Sequence, residues 1–214
     1  MARKTKADAM LTRQRLIDAA IDLFALHGVS DTTLSDIAES AGMTRGAVYW
    51  HFNSKAELFN EMWRQQLPIG EIIKYQVVFD ASLNPFAYLR ELFITGLQYI
   101  ASSPRQRALM QILYHKCEFN KEMMSEMEIR QRLGFNYENS RMMLLRCIQN
   151  GLLPQETNIE IVLMVLHSFF CGVIKNWLMD PDKFDLHQHA PVLVDNILLS
   201  LKPRVTLPAA VTAC

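Results

Sequence analysis

The sequence predicts an all-α protein in two parts, a small N-terminal three-helix bundle with a helix-turn-helix and a larger C-terminal helical domain. Apolar residues recur at three- and four-residue steps almost throughout, and strand-like alternation is nearly absent. Cap residues of the Ser, Thr and Asn type stand at the starts of these periodic runs, and no internal repeat or low-complexity stretch interrupts them.

Helix one is expected from about Asp8 to His27, with Leu16, Ala20, Leu23 and Phe24 on one face and Gly28 ending it in the left-handed region. Thr33 then caps a short helix, with Asp36 three residues on and a stripe of Leu34, Ile37, Ala38 and Ala41 before Gly42 stops it. Thr44 opens a third helix from Arg45 to about His51, which turns Val48 and Phe52 inward. Ser54 and Glu57 form a capping box for a fourth, bent or broken at Pro68 and Gly70. Asn84-Pro85 and Ser103-Pro104 each place a cap before a proline at the first helical position, and longer helices follow near 122–150, 156–179 and 187–201. The chain is expected to divide near residue 65, into 1–65 and 66–202, with 203–214 as a disordered tail.

The composition excludes several classes. The 214 residues carry 22 Lys+Arg against 22 Asp+Glu with 50% hydrophobic residues, which rules out disorder, collagen-like repeats and a disulfide scaffold. Cys117, Cys147, Cys171 and Cys214 are spread without paired spacing and no secretory signal precedes them, so the expected compartment is the reducing cytoplasm. The most apolar stretch, Ile161 to Ile174, is too short to span a bilayer, and no membrane is expected. Zero net charge decides nothing about nucleic acid, but the first 15 residues hold five cations against Asp8 alone.

Two short helices joined by a Gly turn over 33–51 make a helix-turn-helix, whose second helix enters the major groove of double-stranded DNA. With Val48 and Phe52 inward, Arg45, Gly46, Tyr49 and Trp50 face outward, and apolar bulk there calls for an external partner. Arg45 suits a bidentate pair with guanine, while Gly46 and Ala47 let the backbone approach the groove floor, Ala47 against a thymine methyl. Thr33, Thr44, Tyr49, Trp50, His51 and Lys55 are the expected phosphate contacts, Lys55 at the start of helix four as a phosphate clamp. Alternatively, Tyr49 and Trp50 complete the small core, and Arg45 and Lys55 are solvated charges. Residues 31–60 hold four carboxylates against two cations, so electrostatic affinity must lean on the N-terminal arm.

The run TTLSDIAESAGMTRGAVYWHFNSKAELF, residues 32–59, resembles the TetR family of transcriptional repressors, in which such a turn is followed by Tyr-x-His-Phe and a lysine. Here these are Tyr49, His51, Phe52 and Lys55. MARKTK, TRGAVYWHF, HKCEF and, more loosely, NWLMDPDKFDL are similar to the AcrR/EnvR (AcrS) type that regulates multidrug efflux. The resemblance implies a homodimer on a palindromic operator, released when a small ligand enters the C-terminal domain.

Residues 70–200 contain eight of the 12 methionines and many aromatics, the lining of a tolerant pocket or of a plain helical core. Phe93, Met110, Tyr114, Glu118, Phe169 and Trp177 are the candidate ligand residues for a small hydrophobic or cationic inducer, with Glu118 attracting the cation. The helix containing Val162, Leu166, Phe169 and Val173 is apolar on two sides, and the last helix repeats this with Leu193, Ile197 and Leu201. These seven are the expected dimer interface; the alternative is a monomer that buries both helices.

Catalysis has a thin case. His115, Cys117 and Glu118 cluster, but Cys117 falls on another face and no third orienting group is visible. Metal sites fare no better, since His187 and His189 diverge and Asp180, Asp182 and Asp185 read as turn and cap residues. The expectation is therefore no enzyme, no cofactor and no metal. The competing reading is a helical small-molecule-binding or interaction protein whose helix-turn-helix contacts protein instead of DNA.

Overall fold

The structure, a computed structural model, describes residues 6–77, 84–133 and 137–201; the tail expected to be disordered lies outside them, as does most of the basic arm. All regular structure among these residues is helical. The elements are α1 Lys6–His27, α2 Leu34–Ser40, α3 Arg45–His51, α4 Lys55–Arg64, α5 Ile69–Ile73, α6 Pro85–Ser102 and α7 Pro104–Gln111. A π-helical turn, Ile112–Lys116, extends α7, and α8 Glu126–Leu133, α9 Tyr137–Gln149, α10 Ile159–Trp177 and α11 Leu186–Ser200 follow. The single helix expected over 122–150 is represented by α8 and α9, with 134–136 between them outside the described residues.

Local signals set most boundaries. Thr33 accepts from the Asp36 amide while the Asp36 carboxylate accepts from the Thr33 amide at 2.8 Å, a complete capping box. Gly42, at φ +68°, lets Met43 and Gly42 donate back to the carbonyls of Ala38 and Glu39, the Schellman closure of α2. Thr44 caps α3, Ser54 caps α4, Asn84 caps α6 and Ser103 caps α7. The reciprocal half of the Ser54 box is displaced by one residue, since Glu57 accepts from the amide of Asn53 at 2.8 Å. Pro68 ends the α4 connection as the N-cap of α5, so the expected bend is a full break.

The N-terminal bundle closes on Phe24, Phe52, Phe59 and Trp63, all fully buried. Arg13 lies 4.8 Å over the Phe52 ring and donates to Glu61 at 2.9 Å, which ties α1 to the end of α3 and to α4. The larger part is built on α6, which packs against α5, α7, α9 and α11, and Arg90 forks onto Asp195 at 2.5 and 2.9 Å. The two parts meet along α1, where Val29 donates to the carbonyl of Lys116 at 2.8 Å and Arg105 pairs with Asp18 at 2.7 Å. Phe119 meets Phe59 edge-on at 6.2 Å, and Asn60 is hydrogen-bonded to the backbone of Glu122 and Met124.

The helical phase of α10 corrects the expected dimer face. Val162 and Leu166 point inward with Phe170, Ile174 and Trp177, so both are buried within this chain and leave little of their surface for a partner. Ile161, Met164 and Val165 stand exposed on other sides of that helix, and Phe169 and Val173 are half-buried. At 19 residues α10 is also long and apolar enough to cross a membrane by length and composition, against the sequence expectation, although its inner face packs on the core.

Candidate functional site

The first candidate site is the outer face of α3. Seven residues are too few to hold a helix on propensity alone, so its ends and one anchor do so. Thr44 accepts from the Ala47 amide at 3.3 Å, Phe52 donates back to Val48, and Val48 is the only residue of α3 that is buried. Arg45, Gly46, Tyr49 and Trp50 are exposed, Trp50 at 73%, while Ala47 and His51 are half-buried. The Arg45 guanidinium lies 5.6 Å from the centre of the Tyr49 ring, and Trp50 meets His51 edge-on at 4.5 Å. A methyl group added at Gly46 would touch nothing within 4 Å, so the fold itself does not require glycine there. Its smallness opens space on the outside of the helix, where another molecule's backbone or groove could approach. Thr33 is exposed beside this face, its hydroxyl engaged with Asp36. The Asp36 carboxyl is held below the usual range chiefly by the Thr33 amide and hydroxyl.

Lys55 departs from its expected role. Its ammonium donates to the carbonyls of Val29 at 2.5 Å, Ser30 at 3.1 Å and Thr32 at 2.9 Å, which occupies all three N–H groups. The side chain folds under the α1–α2 connection and fixes α4 against it, and no donor is left over for a phosphate.

The second candidate site is a partly open cavity of about 60 Å³ between α5, α6, α7, the π-helical turn, α8, α9 and α10, with His167 at its exposed side. Phe93, Met110 and Tyr114 line it as expected, together with Leu113, Leu166 and Phe170. Glu118 does not; it is exposed beyond the end of the π-helical turn, and among the described residues no carboxylate lines the cavity. Phe169 and Trp177 do not line it; both border an open groove between α10 and α11 with Val173 and Leu193, and the buried Trp177 indole donates to the carbonyl of Phe184 at 3.0 Å. Ile197 on α11 and Leu201, its C-cap, are half-buried.

Four polar wall residues escaped the sequence reading: Arg130, Ser140, His167 and Cys171. The sulfur of Cys171 lies 3.7–3.8 Å from the ring nitrogens of His167 one turn earlier, and Arg130 lies 4.8 Å over the Tyr114 ring. Burial alone would push the Cys171 thiol up, but hydrogen bonds from His167 and Tyr114 and the charges of His167 and Arg130 bring it below its ordinary value. Tyr114 is pushed up, mainly by burial. The one available signal was the His167/Cys171 spacing, four apart in the largely apolar middle of α10.

The His115, Cys117 and Glu118 cluster disperses. A ring nitrogen of His115 is 2.8 Å from the carbonyl of Lys175, and the Cys117 thiol is pushed up to about 11, mainly by burial, the wrong direction for a nucleophile. Asp185 caps α11 through the Gln188 amide at 2.9 Å. Among the described residues no group of three or more His, Cys, Asp or Glu is placed to hold a metal ion.

A capped, outward-facing second helix on a small bundle, joined to a larger helical part, defines a helix-turn-helix regulator of transcription. The sequence pattern of the bacterial regulatory proteins of the tetR family matches residues 16–62, and that of the C-terminal region of MAATS-type transcriptional repressors matches residues 84–203. The chain belongs to the TetR family of transcriptional repressors. It is 50% identical over 203 residues to the probable acrEF/envCD operon repressor of Escherichia coli (strain K12), covering 95% of this chain and 92% of that protein. NalD, the secondary repressor of the MexAB-OprM multidrug efflux pump in Pseudomonas aeruginosa, superposes with a TM-score of 0.75 at 33% identity, over 92% of this chain and 98% of NalD. The SmeT–triclosan complex, from the SmeDEF efflux-pump repressor of Stenotrophomonas maltophilia, gives a TM-score of 0.67 at 28% identity over 95% of this chain and 98% of SmeT. The family and these relatives are transcriptional regulators, not enzymes.

Proposed function

We propose that this chain represses an efflux-pump operon from a palindromic operator in the bacterial cytoplasm, as a homodimer that a small, largely apolar effector releases. The observation that carries the reading is the outer face of α3, where Arg45, Tyr49 and Trp50 project around the open space at Gly46. In this reading residues 1–65 read DNA and 66–202 bind the effector and the second subunit. Arg45 takes a base edge, Gly46 and Ala47 bring the helix close, and Thr33, Thr44, Tyr49, Trp50 and His51 meet the flanking backbone. Phe93, Met110 and Tyr114 receive the effector in the cavity. The half-buried Phe169, Val173, Leu193, Ile197 and Leu201 belong to the dimer seam with the exposed Ile161 and Val165. The relatives' link to efflux operons and the triclosan bound to SmeT support this assignment.

Coupling has a short physical route. Leu113 and Tyr114 of the π-helical turn face the cavity, and the Lys116 carbonyl of the same turn holds Val29 at the end of α1. Ile69 of the cavity wall adjoins Pro68, where α4 gives way to α5. A filled cavity that shifts this turn or α5 moves the bundle that carries α3.

Fluorescence anisotropy with labelled DNA from upstream of the operon, in excess unlabelled DNA at fixed salt, tests the reading. Wild-type protein binds one fragment selectively, and Arg45→Ala loses about 1–3 kcal/mol of affinity for it. Equal, weak binding to every fragment, indifferent to Arg45, overturns it.

A further inference from the structure

The effector cavity is apolar except at one place. Tyr114, Arg130, His167 and Cys171, drawn from the π-helical turn, α8 and α10, gather at one side of it. A fifth polar group, Ser140 of α9, is 5% exposed and lines the same space.

The sign of this cluster limits what can enter. Tyr114, Arg130 and Ser140 carry donors, and His167 can offer one, whereas the acceptor that Tyr114 and His167 share is the Cys171 sulfur, a weak one. Glu126 neutralises Arg130 along α8 but is not part of the wall. A cation entering here would face the Arg130 guanidinium, the Glu126 carboxylate is already engaged by Arg130 outside the wall, and the lining offers no carboxylate of its own to offset the loss of water. A wholly apolar molecule would make no hydrogen bond to any of these polar groups. An oxyanion would replace the sulfur as acceptor and form charge-assisted hydrogen bonds, roughly twice as strong as neutral ones.

We propose that the cavity selects apolar weak acids, molecules with an apolar body and one carboxylate or phenolate oxygen, seated with that oxygen among Tyr114, Arg130, Ser140 and His167. The body lies against Phe93, Leu113, Leu166 and Phe170. This assignment rests on the reading of the cavity as the effector site, and it reverses the cationic preference that Glu118 suggested from sequence.

Three probes of matched shape separate the possibilities: 4-ethylbenzoate, 4-ethylbenzyl alcohol and 4-ethylbenzylammonium, titrated calorimetrically into the full-length protein. The benzoate binds at least tenfold more tightly than the ammonium, and more tightly than the alcohol. Arg130→Gln and Tyr114→Phe, both checked for folding by thermal denaturation, each lower the benzoate-to-alcohol affinity ratio threefold or more. A general weakening of packing would lower both affinities together and leave that ratio alone. The proposal is overturned if the ammonium binds as well as the benzoate, if no probe binds, or if the ratio is unchanged in both variants. Anisotropy on the ligand-free protein is run beside it. Selective DNA binding with any of those three results leaves the repressor reading standing and removes only the weak-acid assignment, whereas absent DNA binding counts against the repressor reading itself.

Discussion

Around Phe52 the interior is filled. Phe24, Phe59 and Trp63 close on it without exposure, and Arg13 covers the edge that α1 leaves. Around Phe170 the packing stops short, leaving a void whose wall carries a guanidinium, an imidazole and a thiol in an otherwise apolar setting. The bundle keeps its open space outside, at Gly46, and the larger part keeps its open space inside. A filled core transmits displacement as a rigid body, because close-packed interiors do not deform continuously. A void with polar groups in its wall is where a small molecule can change the balance of contacts. One region is therefore suited to reading a fixed surface and the other to responding.

The largest expected effect tests the filled side. Phe52→Ala removes a fully buried ring and leaves Arg13 without its stacking partner, so urea denaturation should show a loss of about 3–5 kcal/mol. If the loss is below about 1 kcal/mol, the bundle collapses readily and the contrast with the cavity region fails. Lys55→Met sharpens the same contrast by separating fold from contact. Three backbone carbonyls lose a cationic donor, so stability should fall by about 1.5–3 kcal/mol. The slope of log affinity for DNA against log salt should stay as in the wild type, whereas a lysine on a phosphate would reduce it by about one.

Gly46→Ala should move stability and affinity in opposite directions. With nothing within 4 Å of the new methyl, helix propensity should add about 0.5–1 kcal/mol to thermal stability, while operator affinity falls. A rise in both would mean that the space at Gly46 serves no partner. The smallest effect concerns the clamp over Phe52. The hydrogen bond from Arg13 outweighs burial and holds the Glu61 carboxyl below the usual glutamate range. Because its folded value is depressed, its contribution is present above the unfolded value of about 4.3 and is lost as pH falls through the folded one. The pair is partly solvated, so the stability difference between wild type and Glu61→Gln should shrink by no more than about 1 kcal/mol as pH drops through that window.

Much of the molecule was legible in the sequence where one residue and its neighbours three or four along decide the outcome. Thr33 with Asp36, Thr44 before α3, Ser103 before Pro104 and Gly42 after α2 are signals of this kind, and each stands where local chemistry places it. The outward set on α3 was legible for the same reason, since burying Val48 fixes where Arg45, Tyr49 and Trp50 point. α10 was harder, because its apolar residues surround the helix and periodicity does not say which side finds the core. Val162 and Leu166 were placed on the wrong side for that reason.

What the sequence determined by itself is the order and ends of most helices, the helix-turn-helix and the family, because caps, glycine turns and short motifs act within a few residues. Tertiary structure alone decided that Lys55 holds carbonyls 23 to 26 residues earlier, that Glu118 stays out of the cavity, and that Tyr114, Arg130, Ser140 and His167 line one cavity. Each of these joins elements far apart in the chain. Which distant groups meet is set by how whole helices pack, and local periodicity carries no record of that.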